Sequence, residues 1–420
     1  MGVDAVVRRG AWRAVVGFGL VSLLSDVVAD GSKSIVGPFL QSLGATAFVT
    51  GLVGGLAEAT SLVLRLVFGP VADRKGSYWR LTMVGYAMTA VFVPLLALTP
   101  FLGSVGLVVA SSLVVAERLG KAIRSPSKSV LLARVTGIVG HGKGFGVHKA
   151  LDEMGALLGP LIVAGVIALT GHMWAALAVL IVPGLISLAV LAWLRVHAVG
   201  SVETVASSGP DPSAVREDKP DEVGRGWWVA GLGDGLGGGF LWFAASSALT
   251  TAGLVSFTVI SYHMADAALV PLWAVPLVFA AGQATAAVAA VAAGAAYDRV
   301  GARVLYAVPV LVAVVPVLAF GESLGAVVAG VIVWGAAGGL QDSTVKALIA
   351  DLVAPERRAT AFGVFAAVQG SAAVLGGVLS GALYQNALPI LVVIIGVFQV
   401  AAGLLLAATL RRRAAGQPSS

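Results

Sequence analysis

Apolar segments recur along the chain and alternate with short polar connections. A helix of about 20 apolar residues crosses the ~30 Å hydrocarbon core of a bilayer, and each segment reaches that length. The pattern predicts an all-α membrane protein with spans at 12–40, 48–72, 79–99, 104–123, 144–169, 173–195, 232–262, 268–296, 303–320, 324–349, 359–384 and 388–410. Twelve spans give an even number of crossings.

Composition favours a membrane protein over a soluble enzyme. Hydrophobic residues make up 58% of the chain and charged residues 11%, against about 45–50% and about 25% in soluble domains. The chain has 54 glycines and no cysteine, so thiolate chemistry is excluded and close helix packing is favoured. The five histidines lack metal-ligand spacing, and no phosphate-binding loop or hydrolase motif is visible. We expect no metal, no cofactor and no nucleic-acid partner.

Among the connections between spans, only every second one contains basic residues, as the positive-inside rule requires. The connections at 41–47, 99–103, 170–172, 263–267, 321–323 and 384–386 contain neither Lys nor Arg. We therefore expect a multi-pass protein of a bacterial inner membrane with both termini cytoplasmic. A lipid bilayer is the implied environment.

The chain divides into two related halves. The polar stretch 197–226 is predicted to be a cytoplasmic linker between 1–196 and 227–420, each with six spans. Gly69, Asp73, Arg74 and Gly76 follow the second span in the pattern G-x-x-x-D-R-x-G. The same pattern follows the eighth span, with Gly294, Asp298, Arg299 and Gly301. A second repeated triplet, Phe-Gly-Val at 145–147 and 362–364, supports duplication.

This repeated loop, with twelve spans and a central linker, resembles the signature of the major facilitator superfamily over essentially the whole chain. The resemblance implies two pseudo-symmetric halves that form a monomer, bind a small molecule between them and alternate access. It also implies a cytoplasmic latch, in which Asp73 meets the start of span eleven near 359–360. Asp298 would meet the start of span five near Gly144. The alternative is an ordinary loop turn with topogenic arginines.

Two further features are similar to facilitator motifs without matching them fully. Gly155, Gly159 and Pro160 in span five resemble the antiporter motif of exporters, although the final glycines are replaced. GxxxG alone is also a simple packing face. Arg118 resembles the arginine of span four and could be either a buried coupling residue or a latch partner.

Charged residues inside the predicted spans are functional candidates, because charge is costly at membrane depth. Asp26 and Asp30 share one face of span one, and their repulsion favours proton uptake by one of them. Glu58 is a third candidate, and Asp152 and Glu153 extend the set to span five. Predicted charge partners are Lys33, Arg65, Arg118 and Lys149. The alternative is a static set of ion pairs, Asp30–Lys33 and Glu58–Arg65.

The second half has fewer charges and more aromatic and amide side chains. Candidate cavity residues are Trp242, Phe243, Phe257, Gln341, Phe365 and Gln369. Such a wall suits a hydrophobic or amphipathic substrate, although span aromatics also face lipid.

The sequence therefore predicts a secondary transporter, driven by the proton gradient, that exports small hydrophobic or amphipathic compounds. It resembles the drug/proton antiporter branch. Two alternatives stay open. One is proton-linked uptake or facilitated diffusion of a polar metabolite, and the other is a receptor or scaffold without transport.

Overall fold

The computed structural model describes residues 3–206, 237–354 and 357–416, and its regular elements are helices. The first half contains α1 (Val3–Lys33), α2 (Val36–Ser42), α3 (Ala47–Lys75), α4 (Tyr78–Leu95), α5 (Gly106–Val139), α6 (His141–Thr170), α7 (Met173–Val179) and α8 (Ile181–Ala206). The second half contains α9 (Gly238–Gly253), α10 (Phe257–Asp266), α11 (Val275–Val300), α12 (Ala307–Ala319), α13 (Leu324–Leu352), α14 (Arg358–Tyr384) and α15 (Leu388–Gly416).

Ten stretches of the described chain are long and apolar enough to cross a membrane. Two of them, Tyr78–Val139 and Leu272–Ala319, are 62 and 48 residues long. Each contains two α-helices joined by a 3-10 segment, Leu96–Val105 in the first and Gly301–Tyr306 in the second. At 1.5 Å per residue each stretch is far longer than one crossing. If each is counted as two crossings, the ten stretches agree with the twelve crossings that the sequence predicts.

Two helix ends differ clearly from the sequence-based expectation, and one predicted region lies outside the described residues. The predicted span 104–123 is too short, because α5 continues to Val139. Part of the predicted linker is helical, because α8 continues to Ala206. Residues 207–236, which include most of that linker and the start of the predicted span 232–262, lie outside the described residues.

The internal repeat is visible in which helices pack together. Helix α1 packs against α6 in the first half, and α9 packs against α14 in the second. The pair α3 and α5 likewise corresponds to the pair α11 and α13. Between the halves, α3 contacts α14 and α6 contacts α11. The arrangement is that of two pseudo-symmetric six-helix halves.

Glycines allow the closest helix contacts, as in other membrane bundles. A Cβ atom on Gly155 would stand 2.3 Å from the Leu23 carbonyl oxygen of α1, and one on Gly159 would stand 2.4 Å from that of Val27. The α3/α14 seam between the halves is similar, because a Cβ on Gly377 would stand 2.3 Å from the Gly51 carbonyl oxygen. Larger residues at these positions would push the helices apart.

The halves close tightly at one end of the molecule, which we call the α2/α10 end. A Cβ atom on Gly37 of α2 would stand 2.2 Å from the carbonyl oxygen of Thr258 in α10. Gln41 Nε2 donates a hydrogen bond to Asp266 Oδ1 over 2.9 Å. Residues 257–264 of α10 are all buried. This end of the path between the halves is therefore blocked.

The opposite end, called the latch end, contains both G-x-x-x-D-R-x-G loops and is packed more loosely. Helix α11 is mostly buried over residues 275–282 but mostly half-buried or exposed over 283–300. Lys149 of α6 keeps 65% of its side chain exposed. A charged side chain at this depth needs water, so the space between the halves is accessible from the latch end.

Candidate functional site

Most of the ionisable side chains that lie away from the latch end of the first half form one group, called here the charged cluster. Its members come from α1, α3, α5 and α6. They are Asp26, Asp30, Lys33, Glu58, Arg65, Glu117, Arg118, Lys121, Arg124, Lys128, Lys149, Asp152 and Glu153. All the predicted coupling residues and charge partners belong to it.

Arg124 is the most highly connected member of the charged cluster. Its guanidinium is buried, donates to the Thr89 hydroxyl and places Nη2 3.8 Å from Asp26 Oδ1. The Thr89 hydroxyl in turn donates to Glu117 Oε1 over 3.2 Å, and the guanidinium also lies 4.7 Å from the centre of the Tyr86 ring. A buried charge is tolerated when it is paired and hydrogen-bonded. Arg124 therefore ties α1, α4 and α5 together.

Asp26 and Asp152 meet at the contact between α1 and α6. Gly155, one turn after Asp152, packs against the Leu23 carbonyl, one turn before Asp26. The two carboxyl groups therefore lie on facing turns of α1 and α6 and act on each other electrostatically. Each is close to a cation from α5, because Lys128 Nζ lies 3.8 Å from Asp152 Oδ1 and Arg124 lies at the same distance from Asp26. Two carboxyl groups can share a hydrogen bond only if one of them carries a proton. This pair is therefore a geometric candidate for reversible protonation.

Asp30, which the sequence predicts to be the partner of Asp26, is not part of the Asp26–Asp152 pair. Asp30 is buried, and the charge of Lys121 acts on both Asp30 and Asp26. The acid that acts most strongly on Asp26 is thus Asp152 of α6 and not Asp30 on the next turn of α1. The Gly155 and Gly159 contacts with α1 bring the two helices close enough for this.

The ion pairs differ from the static set considered above. Lys33 Nζ binds Glu58 Oε1 at 2.8 Å. In the described part of the chain, no ion pair within 4 Å joins Asp30 to Lys33 or Glu58 to Arg65. Arg65 instead donates from Nη2 to the Ser61 hydroxyl over 3.1 Å, while its buried Nε has no hydrogen-bond partner there.

Two predicted charges are placed on α5 and α6. Arg118 is buried in the first half, where its Nε lies 3.2 Å from Glu117 Oε2, and it is far along α5 from the latch loop. Lys149 lies 3.4 Å from Asp152 Oδ2 and also pairs with Glu153, one turn further on. Pro160 is buried within α6 beside the Gly159 contact.

Sequence reasoning missed the cationic stripe of α5. Lys121, Arg124 and Lys128 follow Arg118 at intervals of three or four residues, so all four share one helix face. Arg124 and Lys128 resembled topogenic loop residues because the predicted span ended at 123. The helical spacing of the four cations was the signal that could have identified the stripe.

The charged latch residues lie exposed in the last turns of α3 and α11, and Gly76 and Gly301 follow directly after these helices. Asp73 accepts a hydrogen bond from the Tyr78 hydroxyl over 3.1 Å, next to Arg74 and to Gly76, which has φ +57°. Among the described residues, no hydrogen bond or ion pair joins Asp73 to α14 or Asp298 to α6. In a state that is closed at the α2/α10 end, a closed latch is not required, and the latch stays a prediction. The equivalent loop residues Gly294, Arg299 and Gly301 flank Asp298.

The aromatic and amide candidates of the second half are divided between packing and polar contacts. Phe243 and Phe365 stack with ring centres 5.7 Å apart, and Phe257 is buried in the core against Phe279. Trp242 lies under Arg412.

The two amides bind hydroxyls of α9: Gln341 donates to Thr251 over 3.1 Å and Gln369 to Ser247 over 3.3 Å. Phe243, Ser247 and Gln341 also line a small cleft among α9, α12, α13 and α15. The second half thus offers a neutral wall of rings, hydroxyls and amides.

The sequence profile of the Major Facilitator Superfamily matches residues 18–308 and 241–420. An uncharacterized protein of Mycobacterium tuberculosis is 43% identical over 388 residues, which cover 92% of this chain and 90% of that relative. An uncharacterized MFS-type transporter of Methanocaldococcus jannaschii is 33% identical over 141 residues, 34% of each chain.

Solved transporter structures share the fold. A POT family transporter in complex with a thioalcohol-conjugated peptide aligns with TM-score 0.71 at 11% identity, covering 95% of this chain and 96% of that one. The nucleoside transporter NupG aligns with TM-score 0.65 at 15% identity, covering 95% and 98%. The inward-open xylose transporter XylE from E. coli aligns with TM-score 0.68 at 15% identity, covering 94% and 96%.

Two six-helix halves around a charged cluster, closed at one end, define a multi-pass membrane transporter and not an enzyme. The chain belongs to the major facilitator superfamily. Members of this class bind small-molecule substrates.

Proposed function

We propose that this protein is a proton-coupled secondary transporter that exports small hydrophobic or amphipathic compounds by antiport. The observation that carries the proposal is the Asp26–Asp152 pair. The pair lies at a tight interface between two helices of one half, within reach of cations from α5. Loading or releasing a proton there changes the charge of the interface.

Proton coupling follows from how that charge is balanced. With the pair sharing one proton, Arg124 and Lys128 face one negative charge. After release they face two, which repel each other in a low-dielectric interior. Any conformation that separates the carboxyl groups or admits water is then favoured. The proton therefore biases the equilibrium between two states of the transporter, as coupling requires.

Export is supported by the resemblance of Gly155, Gly159 and Pro160 to the antiporter motif, and the neutral wall of the second half suits a partly hydrophobic substrate. The positive-inside pattern supports our proposal that the latch end and both termini lie in the cytoplasm of a bacterial cell. We further propose that the protein acts as a monomer and needs no cofactor beyond the proton gradient.

Proton flux in proteoliposomes tests this function. Wild type, Asp26→Asn and Asp152→Asn would be given a pH gradient and a panel of lipophilic cations, anions and neutral drugs. Glu322→Gln, an exposed carboxylate on the connection before α13, is the matched control. We expect at least one compound to trigger proton movement that both aspartate variants abolish and the control retains. Flux that survives both aspartate substitutions would exclude the pair as the coupling site.

The density of charge in the first half favours one second candidate, proton-linked uptake of a polar metabolite. The direction of proton movement separates the two functions. In antiport the compound and the proton move in opposite directions, and in symport they move together. If the compound and the proton move in the same direction, the protein is a symporter, and uptake takes the place of export as its function.

A further inference from the structure

Arg65 is placed between the two halves. It extends from the face of α3 that also carries Glu58 and Ser61. The charges acting on it come from Glu58 on the same helix, from Arg118 and Arg124 on α5, and from Asp342 on α13 of the second half. The next residue, Leu66, reaches the second half, because a Cβ atom on Gly363 of α14 would stand 3.5 Å from its Cδ2 atom. This turn of α3 therefore borders the path between the halves.

Arg65 is also the charge that lacks a counter-ion. Glu58, the acid on its own helix face, is bound to Lys33 at 2.8 Å. Asp342 lies beyond ion-pair distance and also faces Lys346 one turn away. Within the described residues, Arg65 therefore has no carboxylate within 4 Å, one hydrogen bond to Ser61, and a buried Nε without a partner.

The charge balance of the charged cluster agrees with this geometry. Seven cationic side chains stand against six carboxylates. The cations are Lys33, Arg65, Arg118, Lys121, Arg124, Lys128 and Lys149; the acids are Asp26, Asp30, Glu58, Glu117, Asp152 and Glu153. Asp342 and Lys346 cancel each other. With all six acids ionised, one positive charge is in excess, and with one proton shared by Asp26 and Asp152, two are. A negatively charged ligand would lower this excess in either case.

An arginine cannot relieve this state by losing its proton, because a guanidinium stays charged at any physiological pH. Burying an unpaired charge is expensive. The planar fork of arginine matches the two oxygens of a carboxylate, and such bidentate pairs are among the strongest charge-assisted hydrogen bonds. The missing partner of Arg65 is therefore best supplied by a molecule that enters the path.

We propose that Arg65 binds the carboxylate of an amphipathic monoanionic substrate. The apolar part of that substrate would face the rings, hydroxyls and amides of the second half. The inference deepens the proposed function, on which it rests for the identity of the central path, and it narrows the substrate class from amphipathic compounds to organic anions.

Binding measurements on purified full-length protein test this inference without any proton gradient. Isothermal titration calorimetry would compare three probes with the same apolar body: 4-phenylbutyrate, 4-phenylbutan-1-ol and 4-phenylbutylamine. We expect the carboxylate to bind about ten- to a hundredfold more tightly than the alcohol or amine. Arg65→Gln should abolish that preference, and Arg80→Gln, an exposed arginine on α4, should keep it.

Arg65→Lys provides the second variant if Arg65→Gln does not fold. It keeps the positive charge but loses the fork, so we expect intermediate affinity for the carboxylate and a retained rejection of the amine. Equal affinity for the three head groups, no binding of the carboxylate, or an unchanged preference in Arg65→Gln would overturn the proposal.

Failure of this inference is distinguishable from failure of the proposed function. Carboxylate binding without substrate-driven proton flux would support the anion site at Arg65 and contradict the proposed proton coupling. Proton flux driven by cations or neutral compounds, together with no carboxylate binding, would support proton coupling and contradict the anion site.

Discussion

Gln41 and Asp266 occupy corresponding positions of the two repeats and are bonded to each other. They are 225 residues apart, the separation that also relates Asp73 to Asp298. In a two-fold arrangement, a residue meets its own equivalent only at the symmetry axis. The hydrogen bond between them therefore marks the pseudo-symmetry axis at the α2/α10 end.

Closure of this end should depend on the absence of a side chain at Gly37. Gly37→Ala places a Cβ against the backbone of α10, and overpacking of this kind costs about 1–3 kcal/mol. That cost would shift the ratio of closed to open forms by about 5- to 150-fold.

Spin labels at Phe101→Cys and Glu322→Cys would report the distance between the halves at the α2/α10 end by double electron–electron resonance. The chain has no native cysteine, so no background labelling arises. The short distance should be lost in Gly37→Ala and kept in Gly165→Ala, whose Cβ would meet nothing within 4 Å. A retained short distance in Gly37→Ala would contradict the close contact.

A second test concerns the contact between α1 and α6. Gly159→Ala should lower the melting temperature of the purified protein, because its Cβ would press on the backbone of Val27 and Gly31. The expected loss is about 1–3 kcal/mol. Gly165→Ala on the same helix should melt like wild type. Equal melting of the two variants would show that α6 can shift without cost.

The Arg124–Asp26 pair allows a double-mutant cycle. Arg124→Gln removes the cation 3.8 Å from the half-buried Asp26, and breaking a fully buried pair costs about 3–5 kcal/mol, which is an upper bound here. Adding Asp26→Asn should restore part of that loss, with a coupling energy of about 0.5–3 kcal/mol. Denaturant unfolding in detergent measures the cycle. Strict additivity of the two substitutions would mean that the residues do not interact.

The hydrogen bonds behind Asp266 are one proton short. His263 Nε2 lies 3.1 Å from the Gly321 carbonyl oxygen, so it must donate, and Nδ1 then accepts from the Tyr384 hydroxyl at 2.8 Å. The same hydroxyl also lies 3.2 Å from Asp266 Oδ2. One hydroxyl proton cannot serve two acceptors. A proton on Nδ1 of His263 would satisfy both contacts, with Tyr262 as the other titratable neighbour.

The Tyr384 hydroxyl should therefore stabilise closure of the α2/α10 end through its contacts with His263 and Asp266. The same pair of spin labels should show that Tyr384→Phe weakens closure by about 5- to 100-fold, the equivalent of a lost buried hydrogen bond. Tyr306→Phe, an exposed tyrosine on the connection before α12, is the control. An equal population of the short distance in both variants would exclude the His263–Tyr384 link.

Membrane orientation can be tested with the same cysteine-free background. A membrane-impermeant maleimide should label Glu322→Cys in intact cells and Lys143→Cys only after permeabilisation, since both side chains are exposed at opposite ends. The reverse pattern would invert the proposed topology.

The sequence predicted the crossings well because hydropathy and loop charge act over long segments. The repeat could be predicted because its loops keep the G-x-x-x-D-R-x-G pattern. The site could be predicted only in part. Asp26 and Arg65 were identifiable as charges at membrane depth, whereas the Asp26–Asp152 contact depends on how closely α1 and α6 approach. Arg124 and Lys128 were missed because positive charge next to an apolar run usually signals a loop.

The α3/α14 seam has a mechanical consequence. Side chains that interdigitate must disengage before two helices can rotate past each other, and each disengaged position costs dispersion contacts. Gly51 and Gly377 present bare backbone to each other, so there is nothing to unmesh at this crossing. The two halves can therefore rotate about this line with little resistance. The free-energy difference between the states is then set by the charged and hydrogen-bonded groups on either side.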